Sequence, residues 1–349
     1  MKHETIQHLM EALNEYQSLG IADQIDYQKF YLYSLITHST AIEGSTVTEI
    51  ENQLLFDEGI TAKGRSLQEQ MMNIDLKAAY EHSMQLASQH VDVSIDMLKN
   101  LSAMVMKNTG GTYNTLNGSF DASKGDLRLV GVTAGIGGRS YMNYQKVPAK
   151  LAEYCQQLNE SRHHLLNTDN LIAQYLLSFD AHYQLVTIHP WVDGNGRMSR
   201  LVMNHLQYEF GLIPVKIVKE DKAEYIQALI DSRERDSLEP FRNFMLEEHT
   251  RNIVKEIEEY KKSLSFDPIN TPIDPINTPI DPIKRKLYQA ILQDGSLNYA
   301  EYATIIGTSE ATVKRRLGEL KKENAIIRVG SNKTGHWVVN DNNLTHYGK

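Results

Sequence analysis

The chain has 349 residues, a mean hydropathy of −0.42 and a formal net charge of −8. Its length is sufficient for a sizeable core and two domains, and its apolar and charged fractions, 41% and 23%, are those of a globular protein. No window reaches the ~18 uninterrupted apolar residues of a membrane span, so we expect no membrane partner.

Cysteine content and the first residues both bear on the compartment. Cys155 is the single cysteine, so no internal disulfide can form. Residues 1–16 have the pattern of an amphipathic helix and lack the apolar segment and cleavage site of a secretory signal. We therefore expect a cytoplasmic protein.

The first two thirds of the chain is predicted to be mainly helical. Residues 24–44 have helical spacing and end at Gly44, a residue type that commonly follows a helix. The other segments with helical spacing are 66–90, 94–107, 170–188 and 196–210, with two or more further helices within 220–262.

Residues 110–145 differ from their helical surroundings because they are rich in Gly and Thr. A short strand-like run at Leu127–Thr133 is followed by a Gly-rich turn and by Arg139–Tyr144. This pattern predicts a β-hairpin within the helical domain.

A tandem repeat then interrupts the pattern. The heptapeptide DPINTPI occupies 267–273 and 274–280, and DPI follows at 281–283. Regularly spaced prolines prevent helix and central strand, which predicts an extended, semi-rigid linker. A docking strip for a partner is the alternative.

The last segment carries a charge opposite to that of the rest. Residues 283–349 hold eleven Lys and Arg against six Asp and Glu. Two helices, a turn, a third helix and two short strands around SNKTG are predicted, which is the order of a winged helix-turn-helix. A basic recognition helix in the major groove would make DNA a partner, although many such modules bind protein instead.

One loop between two strong helices concentrates the polar chemistry, in the order His189-Pro190-Trp191-Val192-Asp193-Gly194-Asn195-Gly196-Arg197. Two glycines around an asparagine at a helix start can turn N–H groups towards an anion of phosphate size. Arg197 and Arg200 can clamp phosphate oxygens. Asp193 is a hard ligand suited to Mg²⁺, and His189 can accept a proton from an attacking hydroxyl.

This stretch resembles the signature of the Fic family, HxFx(D/E)GN(G/K)RxxR, at every chemically active position. Trp191 stands where phenylalanine is typical, and we expect it to pack into the core. The resemblance implies a mainly α fold with a β-hairpin flap at 127–145 that holds a target segment. It also implies an enzyme that uses Mg²⁺ and transfers AMP from ATP to a Ser, Thr or Tyr hydroxyl of a target protein.

The resemblance assigns a role to each residue of the loop. His189 would be the base, and Asp193 would hold Mg²⁺. Arg200 would bind the γ-phosphate. The α- and β-phosphates would be bound by Gly194, Asn195, Gly196 and Arg197. Tyr225 lies where the family often has an aromatic residue near adenine, although a core position is the alternative.

A second motif lies ahead of the loop. The run Ser39-Thr40-Ala41-Ile42-Glu43-Gly44 resembles the family's inhibitory motif, (S/T)xxxE(G/N). The resemblance implies that Glu43 pairs with Arg200 in the place of the γ-phosphate and so inhibits the enzyme. Members of the family often form homodimers.

Four regions follow from these features: a helical region with the inhibitory motif at 1–110, a catalytic core at 111–264, a linker at 265–283 and a winged helix at 284–349. Three alternatives stay open for the function. The Fic-type domain could use another nucleotide donor, remove AMP, or serve as the nucleotide sensor of a DNA-binding regulator.

Overall fold

The computed structural model describes residues 3–134, 138–265, 282–322, 325–329 and 336–339. It divides into two compact units, residues 1–260 and 261–349, and helices predominate among the described residues of each. The tandem repeat and the SNKTG segment of the predicted wing lie outside the described residues.

The first unit is built on ten helices among its described residues, the last of which extends to Ser265. They are α1 (His3–Ser18), α2 (Tyr27–Ile42), α3 (Glu49–Glu58), α4 (Leu67–Ser88), α5 (Ile95–Val105), α6 (Val147–Leu166), α7 (Leu171–Ile188), α8 (Asn195–Glu209), α9 (Lys222–Glu234) and α10 (Glu239–Ser265).

Local sequence explains where several of these helices begin. Thr48 and Glu51 form a capping box at the start of α3, and Ser66 and Glu69 form another at the start of α4. In each box the hydroxyl and the carboxylate satisfy N–H groups that lack helical acceptors. The α3 helix was not predicted, although the sequence shows Thr48 and Glu51 at the spacing of a capping box and Gly59 at the other end. In the structure Gly59 adopts the left-handed conformation that ends the helix.

The α7–α8 pair lies between two apolar cores. One core joins α4, α5 and α6 to one side of the pair, with Leu185 and Leu201 among its members. The other joins α1, α9 and α10 to the opposite side, with Phe179 and Met203 among its members. The signature loop connects α7 to α8, so both cores hold the elements that position it.

A β-hairpin occupies part of the Gly- and Thr-rich region, but not the part that was predicted. Strands β1 (Thr112–Thr115) and β2 (Gly118–Asp121) pair in antiparallel register around a two-residue loop, Leu116–Asn117. Gly118 follows the loop at φ 121°, a backbone conformation that favours glycine, and it pairs with Thr115 as the first residue of β2.

The predicted flap is less regular than a two-stranded hairpin. Among its described residues, the two sides are joined at the bridge of Thr133 to Ser140, and the Tyr141 N–H donates to the Val132 carbonyl at 2.9 Å. The prediction of a strand from Leu127 was wrong. The backbone there bonds elsewhere, since the Arg128 N–H donates to the Pro190 carbonyl of the signature loop at 3.1 Å.

The second unit has the predicted winged-helix order. Its helices are α11 (Pro282–Gln293), α12 (Tyr299–Ile306) and α13 (Glu310–Lys322), followed by antiparallel strands β3 (Ile326–Val329) and β4 (His336–Val339). Leu287, Tyr302, Leu317 and Trp337 belong to its separate core.

Among the residues that the structure describes, none of the helices combines the length and the apolar character that a bilayer crossing requires.

Candidate active site

The signature loop is turned by two residues with positive φ. His189 follows α7 at φ 53°, and Gly194 precedes α8 at φ 79°. The Asn195 side chain braces the loop, donating to the Trp191 carbonyl at 2.9 Å and accepting from the Trp191 N–H at 3.1 Å. Trp191 is fully buried, as expected, and its indole N–H donates to the Gly125 carbonyl. The side chain of Asn195 is therefore used within the loop, and its backbone N–H is the group that remains available to a ligand.

The first turn of α8 supplies N–H groups that the helix itself does not use. Met198 donates the first helical hydrogen bond, to the Gly194 carbonyl at 2.9 Å, so the three preceding N–H groups lack helical acceptors. They belong to Asn195, Gly196 and Arg197. A Cβ at Gly196 would lie 2.5 Å from Glu43 Oε1, so a side chain there would displace the Glu43 carboxylate from its present position. This helix start has the chemistry of an anion site.

Arg197 is buried beside this helix start. Its Nη2 contacts the Met106 thioether at 3.2 Å, and Nη1 donates to the Val105 carbonyl at 3.4 Å. Burial lowers the pKa of the guanidinium, and Asp193, 3.7 Å away, opposes that effect. Among the described residues, Arg197 Nε has no hydrogen-bond partner. A buried cation with a spare donor fits an anionic ligand.

Arg200 lies one turn further along α8 and binds the inhibitory motif. Its Nη2 donates to Glu43 Oε1 at 2.6 Å and to the Ser39 carbonyl at 2.9 Å, while Nε donates to Ser39 Oγ at 2.8 Å. Burial raises the pKa of Glu43, but the Arg200 guanidinium outweighs it and the net shift is downward. Conversely, burial lowers the pKa of Arg200, and Glu43 reverses that shift. The pair is therefore ionised at neutral pH.

His189 faces the flap. Its imidazole stacks on the Tyr141 ring with centroids 3.7 Å apart and an interplanar angle of 18°. Burial lowers the pKa of His189 to about 4, and Arg128 adds to this effect. The ring is therefore neutral at physiological pH and able to accept a proton.

Arg128 is a site residue that sequence reasoning missed. Its buried guanidinium donates to three carbonyls, those of His189 at 2.7 Å, Val130 at 2.7 Å and Met142 at 2.6 Å. It thereby ties both sides of the flap to the end of α7. The available signal was an arginine inside the apolar run Leu127-Arg128-Leu129-Val130, where a charge needs several partners.

A cavity of about 740 Å³ lies between the flap and helices α7 and α9. Three cations, Arg139, Lys146 and Arg233, are among its lining residues, whereas none of the lining residues that the structure describes is a carboxylate. Its apolar wall is formed by Val186, Ile226, Leu229 and Ile230. A pocket of this size and character fits a nucleoside.

Tyr225 does not line this cavity. Its ring is buried in the second core against Phe241, and its hydroxyl lies 3.0 Å from His182 Nε2. The next residue, Ile226, lines the cavity instead. The placement of Tyr225 corresponds to the core alternative, because helical geometry points adjacent side chains about 100° apart.

Asp193 is the residue of this loop that suits a metal ion. The described residues contain no group of three or more His, Cys, Asp or Glu arranged to hold one. The Asp193 side chain is 63% exposed, and its Oδ1 accepts from the Gly194 N–H at 2.6 Å. One carboxylate together with substrate phosphates is a usual environment for Mg²⁺. The donor set therefore fits Mg²⁺ together with a polyphosphate.

Family models match both units. Residues 92–207 match the Fic/DOC family, and residues 280–327 match winged helix-turn-helix DNA-binding domains. The chain contains a Fic/DOC domain. The match to the Fic domain includes the signature loop and the whole flap, but not the inhibitory motif, α9 or α10.

Two relatives of the Fic domain illustrate the similarity. Protein adenylyltransferase fic-1 of Caenorhabditis elegans is 24% identical over 261 residues, 74% of this chain and 47% of the relative. Protein adenylyltransferase Fic of Drosophila melanogaster is 29% identical over 220 residues, 60% of this chain and 39% of the relative. The chain thus spans less than half the length of these relatives.

Solved structures share the Fic fold. Fic-1 of C. elegans superposes with a TM-score of 0.59 at 23% identity, covering 74% of this chain and 73% of that chain. A Fic family protein of Desulfovibrio desulfuricans covers 97% of this chain and 95% of its own, with a TM-score of 0.56 at 18% identity. At these identities the likeness concerns the fold.

Proposed function

We propose that this chain is a protein adenylyltransferase that is inhibited by its own Glu43. The observation that carries the proposal is the ion pair between Glu43 and Arg200 at the N-terminus of α8. This helix start, with the unused donor of Arg197, suits a polyphosphate. The second arginine, Arg200, is instead paired with the carboxylate of Glu43 from the same chain. The names of the curated relatives support AMP as the transferred group.

The residues have distinct roles in the proposed reaction. A target hydroxyl gives its proton to His189 and forms a bond to the α-phosphorus of ATP, while the bond to pyrophosphate breaks. Arg197 and the α8 N–H groups stabilise the charge that develops on the phosphates. Arg200, once released by Glu43, binds the γ-phosphate. Asp193 would hold Mg²⁺, which neutralises phosphate charge when bound.

The cavity between the flap and α9 is the proposed nucleoside pocket, with Ile226 in place of Tyr225 beside the base. The flap is the proposed docking site for a target segment that carries a Ser, Thr or Tyr hydroxyl. A cytoplasmic location and a homodimer also belong to this proposal, and rest on the sequence patterns and the resemblance given above.

Labelling with α-³²P-ATP and Mg²⁺ in a cell lysate tests this function. We expect little protein labelling with the wild type, strong labelling with Glu43→Gly, and none with Glu43→Gly/His189→Ala. Glu58→Gly, at the exposed end of α3, is the matched control and should behave as the wild type. Absence of label from every variant would overturn AMP transfer, and labelled UTP, GTP and CTP would then test another donor. Release of AMP from pre-labelled protein would favour the reverse reaction.

The second unit supports a further candidate function, that of a DNA-binding regulator with the Fic domain as nucleotide sensor. The match to winged helix-turn-helix DNA-binding domains favours it. Helix α13 adds four exposed cations, Lys314, Arg315, Lys321 and Lys322. A gel shift with genomic fragments, with and without ATP, tests this candidate. Specific binding by His189→Ala, in a protein whose Glu43→Gly variant transfers no AMP, would favour the regulator over the enzyme.

A further inference from the structure

The contact between Tyr141 and His189 has no counterpart among the roles assigned so far. The two rings are stacked face to face, 3.7 Å between centroids and 18° from parallel. In this arrangement Tyr141 covers one face of the imidazole. The nitrogen lone pair of a neutral imidazole lies in the plane of the ring, so stacking leaves it accessible to a hydroxyl.

The backbone of His189 does not by itself fix the direction of its side chain. His189 has left the helix and adopts φ 53°, a region that residues other than Gly seldom occupy. The rotamer preferences of a residue with helical φ and ψ therefore do not apply to it. Contacts of the ring itself must therefore orient it, and the interaction with the Val186 backbone and the stack on Tyr141 both bear on its direction.

Tyr141 is itself held firmly. Its N–H donates to the Val132 carbonyl at 2.9 Å, which closes the flap beside it. The carbonyl of the next residue, Met142, accepts from Arg128 Nη2 at 2.6 Å, and Arg128 Nε donates to the His189 carbonyl at 2.7 Å. One guanidinium thus links the backbone on both sides of the ring stack.

We propose that Tyr141 is a positioning residue that holds the His189 imidazole in the orientation in which it can take a proton from the target hydroxyl. This inference rests on the proposed transferase function. Three charged groups also act on the imidazole: Arg128 from the flap, Asp193 from the signature loop and Glu43 from the end of α2. They act on its charge, whereas Tyr141, together with the Val186 backbone, restricts its direction.

The test compares Tyr141→Phe, Tyr141→Leu and Tyr141→Ala, each in the Glu43→Gly background. Phenylalanine keeps the flat ring and should retain kcat within about twofold. Leucine fills space without a flat face, and alanine removes the side chain. Both should lower kcat by about tenfold to a hundredfold, because misplacing a catalytic group by about 1 Å costs rates of this order.

A matched control separates positioning from nucleotide binding, because Tyr141 also lines the cavity. Ile226→Ala enlarges the opposite wall of that cavity without touching His189, and should raise the KM for ATP more than it lowers kcat. Tyr141→Ala should show the reverse split. A loss confined to KM, an unchanged kcat, or full activity of Tyr141→Leu would overturn the inference.

A direct readout does not depend on activity. The stack should shift the ring protons of His189 upfield in the NMR spectrum of the wild type and of Tyr141→Phe, relative to Tyr141→Leu. Unshifted protons in the wild type would overturn the inference even if the alanine variant failed to fold. Absence of transfer by Glu43→Gly alone would instead count against the proposed function.

Discussion

His189 combines a structural and a chemical role at one position. Its positive φ ends α7, and the burial that accompanies this turn lowers the pKa of its imidazole to about 4. A base must be unprotonated to act, and this shift keeps the neutral form dominant well below neutral pH.

The pH dependence of transfer follows from that shift. In Glu43→Gly, kcat/KM should stay nearly constant from pH 8 to 6 and should fall only at or below about pH 4, since removal of the Glu43 carboxylate takes away one of the charges that raise the pKa of His189. A pH–rate profile with the labelled-ATP assay measures this. A decline centred near pH 6.5, the value of an ordinary histidine, would contradict the burial that the structure shows.

Arg128 is the second residue on which the site geometry depends. In Arg128→Met a side chain of similar length replaces the guanidinium and leaves three carbonyls without their donor. We expect the free energy of unfolding to fall by about 3 kcal/mol, because buried polar groups lose their hydrogen bonds. Transfer by the Glu43→Gly background should fall as well.

Denaturant titration measures the first effect and the labelling assay the second. Lys124→Met is the matched control, since its side chain is 75% exposed and lies in the same segment. A change below about 0.5 kcal/mol in Arg128→Met, the size of an ordinary surface substitution, would show that these hydrogen bonds contribute little.

At the scale of elements, a polar network connects α2, which ends directly before Glu43, to its neighbouring helices. Asn73 of α4 accepts at its side-chain oxygen from Thr40 at 2.7 Å and from Asn52 at 2.9 Å, and its amide donates to Ser45 Oγ at 3.2 Å. These bonds connect α2, α3 and α4 around the inhibitory motif. The position of Glu43 therefore depends on three helices as well as on its ion pair.

Asn73→Ala should loosen this arrangement. Loss of the buried hydrogen bonds should lower stability by about 1–3 kcal/mol and allow α2 to move, which raises AMP transfer above that of the wild type. Thermal unfolding and the labelling assay measure the two effects. Gln85→Ala, exposed on the same helix, is the control. Unchanged transfer in a destabilised Asn73→Ala would show that the network supports the fold without restraining Glu43.

At the scale of the whole molecule, buried histidines couple the stability of the first unit to pH. Burial lowers the pKa of His182 and His249 to about 3 and that of His205 to about 4. The unfolded chain takes up these protons near pH 6.5, whereas the folded chain does not. Stability from these groups is therefore present above pH 6.5 and is lost as the pH falls towards 3 or 4.

A difference between variants isolates this effect, since other buried groups such as Glu248, whose pKa burial raises to about 7, titrate in the same range. His249→Gln should reduce the slope of stability against pH by ~1.4 kcal/mol per pH unit below pH 6.5. Denaturant titrations at pH 7.5, 6 and 5 measure it, with exposed His164→Gln as control. An unchanged slope would mean that His249 takes up its proton equally in the folded and unfolded chain.

Much of the architecture was predictable because its causes are local in the chain. Helical spacing gave the position of α2, α4, α5, α7 and α8 to within a few residues at each end, and the winged-helix order followed from the same reasoning. The β1–β2 hairpin and α3 were missed although turn and capping signals mark them. The strand from Leu127 was wrong because its backbone bonds to the signature loop, a partner that no local pattern reveals.

The sequence by itself determined the signature loop, since residues 189–200 are contiguous and a helix start brings their groups together. It also indicated the Glu43–Arg200 pair, through a resemblance and without its geometry. Only the tertiary structure decided that Ser39 shares Arg200, that Arg128 and Tyr141 converge on His189, and that Tyr225 is a core residue while Ile226 lines the cavity. Contacts between residues far apart in the chain depend on how the helices pack. Adjacent side chains on a helix point about 100° apart, and the spacing of residues alone does not say which of two neighbours faces the cavity.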